Sequence, residues 1–380
     1  MASNCQVGLA KNLRKIRSSD SGITRVFPWK LCYNSPGMPS KITNRLRDFL
    51  LIVTILAGCT HLFSPSMPVL KKRTQLHMGT LVTITALAQT DDAADRAIDA
   101  GFSEIRRLEE LMSTWIGTSE LSLVNASAGR ESVRVSPETV ALVELSLQVG
   151  EMTNGGFNIA IGPAVDAWNV TERQEIPSSE KLQALKPLTR LSGVHLDTQS
   201  STIYLETAGM RVDVGGIGKG YAADRAVSVM KKAGAVAGVV ALSGDIKSFG
   251  QLPGERKFTV GIQHPRKETA VLALIDLQDE AISTAGDYEK FFDRDGLRYH
   301  HILDPSTLQP ARGCQSVSVI AKDGVWADGL DTGIFVMGPE RGMELIERLP
   351  NVEAVIVDDK GNVHISSGLR DRIRFPIEPD

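Results

Sequence analysis

The sequence predicts an α+β fold, a single compact unit of mixed sheets flanked by helices, on three observations. Residues 91–115, DDAADRAIDAGFSEIRRLEELMSTW, set Ala94, Ile98, Phe102, Ile105, Leu108 and Leu111 at helical spacing. From residue 257 onward strand-like runs predominate, namely KFTVGIQ, AVLALIDL, AISTAG, SVSVIA and VEAVIVDD, interrupted by helical segments at about 326–336 and 339–348. No internal repeat, low-complexity tract or long linker divides residues 67–380.

The N-terminal region reads differently from the rest. KNLRKIRSSDSGITRVFPWK is basic but has no apolar periodicity, so it reads as a disordered or removed segment. The net charge of −3 over 380 residues gives no reason to expect nucleic acid as a partner. MPSKITNRLRDFLLIVTILAGCTH, from Met38, carries Lys41, Arg45 and Arg47 and then an apolar run from Phe49 to Ala57. That is the layout of a secretory signal, and the run is short for a bilayer span. Leu56-Ala57-Gly58-Cys59 resembles a bacterial lipobox, in which the cysteine is lipidated and becomes the mature N-terminus. The expected organisation is a leader over 1–58 with Met38 as its start, a lipid-anchored tether over 59–75, and a domain over 76–370 on the periplasmic side of a bacterial membrane. An organellar transit peptide is the alternative for residues 1–37. Loss of Cys5 and Cys32 and lipidation of Cys59 leave Cys314, hence no intrachain disulfide.

Along the mature chain, MGTLVTITALA (78–88) alternates apolar and polar residues as a strand does. The 91–115 helix follows, with Asp91 and Asp92 at its positive end. A second helix starts at about Ser136, has Pro137 in its first position, and stops at Asn154-Gly155-Gly156. STIYLETAGMRVDV (201–214) reads as two strands around a glycine-containing turn. A helix from Tyr221 to Ala233 ends at Gly234, and AGVVALSGD returns as a buried strand.

Several short stretches can carry chemistry. VDVGGIGKGYAADRA (212–226) puts four glycines and Lys219 where a strand turns into a helix, a place where backbone amides can meet an anion. It is not a P-loop, because Asp213 stands where the first glycine belongs and Gly220 follows the lysine. It also fails the dinucleotide fingerprint, with Tyr221 in a small-residue position. ADGLDTGIFVMG (327–338) sets Asp328, Asp331 and Thr332 on one helix face, a donor set suited to a hard cation such as Mg²⁺. The plainer reading is a helix start capped by Asp328 with a solvated acidic face. YHHILDP (299–305) offers two histidines pointing to opposite faces of an extended segment, either of which could be a base, a phosphate contact or a buried structural residue. STAGDYE (283–289) and SGD (243–245) read singly as turns, and Trp115 reads as a core aromatic.

In this order, the stretches resemble the ApbE family of FAD:protein FMN transferases, from about Met78 to the C-terminal strands. The elements are Met-Gly-Thr at 78–80, Met-Ser-Thr-Trp at 112–115, GGFNIAIGP at 155–163, VDVGGIGKGYAAD at 212–224, SGD, STAGDYE, HILDP at 301–305 and ADGLDT at 327–332. The resemblance implies a T-fold-related unit with FAD in a cleft between two subdomains and Mg²⁺ on its pyrophosphate. It implies metal ligation by the Gly216 carbonyl, Asp328, Asp331 and Thr332. Cofactor contacts would fall at Met78, Trp115, Gly156, Phe157, Asn158, Asp213, Lys219 and Ile302, and His301 is the candidate base or acceptor-orienting group, a nearby aspartate being the alternative base. The implied reaction transfers FMN from FAD to a threonine hydroxyl of an exported flavoprotein acceptor and releases AMP. An FAD pyrophosphate hydrolase and a non-catalytic FAD-binding lipoprotein are the alternatives. Two departures stand out: Asn158 replaces the usual Asp, and the glycine usual after HILDP is absent, with Leu308 in that neighbourhood.

Overall fold

The computed structural model describes residues 67–376. The leader and Cys59 lie outside the described residues. The framework is an eight-stranded sheet whose strands lie side by side in chain order: β1 (Val69–His77), β2 (Thr80–Ala88), β3 (Ala235–Leu242), β4 (Asp245–Phe249), β5 (Ala281–Gly286), β6 (Cys314–Ala321), β7 (Glu353–Asp358) and β8 (Val363–Ile365). Each neighbouring pair is antiparallel. The α+β class predicted from the sequence is the one found. β1 revises the domain boundary, since residues 69–75, expected in a tether, pair with β2 from Val69↔Ala88 to His77↔Thr80. At the other end, Ile373–Arg374 still pairs with Val271–Leu277, beyond the expected limit of 370.

Helices cover one face of the sheet. They are α1 (Asp91–Met112), α2 (Pro137–Met152), α3 (Gly218–Lys232), α4 (Gly324–Met337) and α5 (Pro339–Ile346). α1 buries Ile98, Phe102, Ile105 and Leu108 against Val82 and Ile84 of β2, as its periodicity requires. Thr90 caps it by accepting from the Ala93 amide at 3.2 Å. It ends at Met112, three residues before the predicted Trp115, because Ser113 turns to an extended ψ of 123°. α4 is apolar nearly all round, with Leu330, Ile334 and Phe335 inaccessible. The other face of β5 to β7 contributes Ile282, Ile320 and Val355 to a second core, under the hairpin Phe258–Gln263 and Val271–Leu277.

Two local readings are corrected. The segment 201–214 forms one strand, Thr202–Leu205, and not two. After it, the Val212 amide donates to Asn125 Oδ1 at 2.7 Å and the Asp213 amide to the Ile159 carbonyl at 2.7 Å, so a side chain and a loop satisfy the backbone that a strand partner would have satisfied. Helix α3 starts at Gly218 and not at Tyr221. Glycine disfavours helix locally, but the Gly218 amide donates to the Val214 carbonyl at 2.8 Å and the tight packing described below requires glycine here.

Candidate active site

The site forms where α3 crosses α4 above the β3–β4 turn. The crossing is close because neither helix has a side chain at the contact. A Cβ added at Gly220 would overlap the carbonyl oxygen of Gly324, and one added at Gly324 would lie 2.7 Å from that of Gly220. Asp224, one turn along α3, accepts from the Gly324 and Val325 amides at 2.8 and 2.9 Å and so caps the start of α4 from outside. Burial pushes the Asp224 carboxyl up to about 6, against those hydrogen bonds and the Lys247 charge. Asp328 is therefore not the cap that the plainer reading of ADGLDT requires; it lies in the second turn of α4, facing α3.

Asp328 and Asp331 are each 2 % exposed, and with Asp245 at the start of β4 they bring carboxylate oxygens within 4.8 Å of one another. Asp328 Oδ2 accepts from the Gly220 amide at 2.8 Å. Asp331 Oδ2 lies 2.6 Å from Ser283 Oγ on β5, which also bonds Asp245 Oδ1. Thr332 Oγ1 lies 3.1 Å from Asp331 Oδ1. Lys219 Nζ makes an ion pair with Asp245 and stands 3.9 Å from Asp328 Oδ1. Burial, with the Asp245 charge next in size, pushes Asp328 up to about 7. Burial and the charges of Asp328 and Asp245 push Asp331 well above the usual carboxylate range. For Lys219, burial opposes the charge, but Asp245 and Asp328 offset it and hold the ammonium above its ordinary value. Three carboxylates against one ammonium leave a formal charge of −2 among hard oxygen donors, a combination that fits a divalent cation.

The other predicted residues divide by how near this centre they stand. Gly216 adjoins it, since a Cβ there would lie 3.1 Å from Thr332 Oγ1 and 3.3 Å from the ring of Phe157. Gly156 is pressed against α4, where a Cβ would come 2.7 Å from the Gly333 carbonyl. Phe157 is buried. Met78 adopts a left-handed φ of 49° and donates its amide to Glu109 Oε1 at 2.7 Å, with its methyl carbon toward Gly218. Asp213 bonds the Gly215 amide through Oδ1 at 2.7 Å, and burial raises its pKa. Asn158 is held by the fold on both sides: Oδ1 accepts from the Ala160 amide and Nδ2 donates to the Thr189 carbonyl, each at 2.8 Å. Trp115 is 82 % exposed, which overturns the core-aromatic reading.

Of the two histidines, His300 is buried, its Nε2 2.9 Å from the Ala311 carbonyl, and burial pushes it down to about 4. His301 lies on the surface with Nδ1 3.3 Å from the Lys290 carbonyl. The protein around it and the Lys290 charge push it below the ordinary imidazole value. Both leave a neutral imidazole at neutral pH. Ile302 is buried beside them. Two members of the charged centre, Asp245 and Ser283, lie in SGD and STAGDYE, stretches that read singly as turns. Their signal was the ordered company of SGD and STAGDYE, not any local pattern.

The protein is an α+β scaffold with a buried carboxylate centre at a glycine-lined helix crossing, a donor set that could hold a divalent cation. A family model described as the ApbE family matches residues 78–356, and the chain belongs to that family. It is 33 % identical over 319 residues to the FAD:protein FMN transferase of Treponema pallidum (strain Nichols), covering 80 % of this chain and 88 % of that protein. The crystal structure of the ApbE protein from Thermotoga maritima superposes with a TM-score of 0.75 at 30 % identity, covering 80 % of this chain and all of that one. The flavin transferase ApbE from Vibrio cholerae gives 0.72 at 28 % identity, with 80 % and 99 % covered.

Proposed function

We propose that this protein is an Mg²⁺-dependent FAD:protein FMN transferase that moves FMN from FAD onto a threonine hydroxyl of an exported flavoprotein and releases AMP. The observation that carries the reading is the buried centre of formal charge −2 beside the glycine loop. The Gly216 carbonyl, Asp328, Asp331 and Thr332 would hold Mg²⁺, which would supply charge neutralisation to the pyrophosphate. The chain's own work is binding and alignment, on which phosphoryl transfer mainly depends. Phe157 and Met78 provide apolar surface next to the loop, and exposed Trp115 offers a ring face to the cofactor. The threonine oxygen bonds to the phosphorus on the riboflavin side as the bond from that phosphorus to the AMP oxygen breaks. His301, neutral and exposed, is the candidate to take the threonine proton. The purified protein, incubated with FAD, Mg²⁺ and a threonine-bearing flavoprotein acceptor, is expected to give acceptor bands with in-gel flavin fluorescence. Unlabelled acceptor, with FAD merely hydrolysed, would overturn transfer as the function.

The reading extends to placement. The basic segment, apolar run and Leu-Ala-Gly-Cys of residues 38–59 support an anchor through lipid on Cys59, on the periplasmic side of a bacterial membrane. Among the described residues no helix is long and apolar enough to cross a membrane. Cys59→Ser is expected to shift the protein from the membrane to the soluble fraction, and unchanged partitioning would remove the anchor.

A further inference from the structure

Asp245 stands apart from the residues proposed to hold the cation. It is 3 % exposed, it comes from the sheet and not from α4, and its two oxygens are engaged by Lys219 and Ser283. We propose that Asp245 sets the charge of the cation site without ligating the cation. Its pairing with Lys219 cancels the ammonium, so that Asp328 and Asp331 present both their charges to a divalent ion. This rests on the Mg²⁺ reading above.

The geometry favours that division of roles. Lys219 reaches past Asp328, 3.9 Å away, to bond Asp245. Without that partner, a lysine ammonium at this distance would compete for Asp328 and repel a cation there. Ser283 completes the arrangement. Its hydroxyl carries one proton and stands between Asp245 and Asp331, so with a cation on Asp331 the proton is free to point to Asp245. Asp245 would then be satisfied by an ammonium and a hydroxyl, with no oxygen needed by the metal.

The test is Mn²⁺ binding to the whole protein without FAD, followed by electron paramagnetic resonance, with the count of metal-bound waters obtained in isotopically labelled water. Asp245→Asn leaves the Lys219 charge uncancelled and is expected to weaken Mn²⁺ by about tenfold or more. Adding Lys219→Met to that variant restores the formal −2 and is expected to return affinity to the wild-type range. Lys219→Met alone leaves three uncompensated carboxylates and is expected to tighten binding, a result that does not depend on the Asp245 variant folding. The water count should be the same in wild type and Asp245→Asn. The proposal is overturned if Asp245→Asn binds as wild type does, if the double variant stays as weak as the single one, if Lys219→Met does not tighten binding, or if Asp245→Asn gains a bound water, which would make Asp245 a ligand. Wild type that takes up no Mn²⁺ would overturn the metal reading and this inference together, whereas the other failures leave the metal reading standing.

Discussion

Replacing Gly220 by alanine separates helix propensity from site architecture. In an ordinary helix the change stabilises by about 0.5–1 kcal/mol, because glycine loses more backbone freedom on folding. Here the added methyl would overlap the Gly324 carbonyl and lie 2.7 Å from the Asp328 Cβ, and both obstacles are buried backbone or the root of a buried side chain. Overpacking of this kind costs about 1–3 kcal/mol. Moving α3 away from α4 also lengthens the 2.8 Å bond from the Gly220 amide to Asp328 Oδ2, a hydrogen bond to a carboxylate of the kind that contributes about 1.5–3 kcal/mol. The clash and the lost bond exceed the propensity gain, so a net loss of about 2–5 kcal/mol in unfolding free energy is expected, with weaker cation binding. Gly117→Ala is the control, since an added Cβ there meets nothing within 4 Å. Urea unfolding at fixed pH reads both variants. A Gly220→Ala protein as stable as the Gly117→Ala protein would refute the claim that glycine is here for the helix crossing.

Three further outcomes are expected. Asp328 is pushed up to about 7 and Asp331 is raised with it, so folding favours their protonated forms. That contribution is complete below the ordinary carboxylate value and lost as pH rises through about 7. Asp328 alone should therefore cost the metal-free protein about 2–3 kcal/mol of stability between pH 5 and pH 8, with Asp331 adding to the loss, and saturating Mg²⁺ should flatten the profile; equal slopes with and without Mg²⁺ would remove the cation from this centre. Trp115→Ala should leave the unfolding midpoint nearly unchanged, within about 0.5 kcal/mol for a surface change, while weakening FAD binding about tenfold or more in flavin-fluorescence titration; unaltered FAD affinity would take Trp115 out of the site. Asn158→Asp keeps the acceptor for the Ala160 amide but turns a carboxylate toward the Thr189 carbonyl, costing about 1–3 kcal/mol of stability. It should change the rate of transfer from bound FAD more than the affinity, and a tenfold loss of affinity at an unchanged rate would show Asn158 to be a binding adaptation.

What the sequence made legible was whatever depends on neighbours in the chain. The strand-like run AISTAG is a strand at 281–286, although STAGDYE taken singly reads as a turn. Ser136 caps α2 with Pro137 in the first turn, as the residue types imply. The reading failed where a distant partner decides. Residues 210–214 look like a strand, yet no strand lies beside them among the described residues, and Asn125 and Ile159 take their amides. Asp245 reads as one residue of a Ser-Gly turn until β3 and β4 carry that turn under α3. The two α4 carboxylates could be grouped from spacing alone because one helix holds them, whereas the third could not, because it belongs to the sheet.

The glycine loop shows why composition misleads when taken without contacts. A run of glycines before a helix suggests free amides waiting for a phosphate. In this protein the Gly215 amide is bonded to Asp213 Oδ1, the Ile217 and Gly218 amides to the Val214 carbonyl, and the Gly220 amide to Asp328. Those four donors are spent inside the fold. The glycines act by being small: at 216 a side chain would crowd Thr332 and Phe157, and at 220 it would push α4 away. A pyrophosphate brought to this loop therefore finds little backbone anion site and two buried carboxylates that repel it. Under the proposed function, a cation held by Asp328 and Asp331 would supply the attraction, which is why that proposal places the carboxylates and the loop in one site.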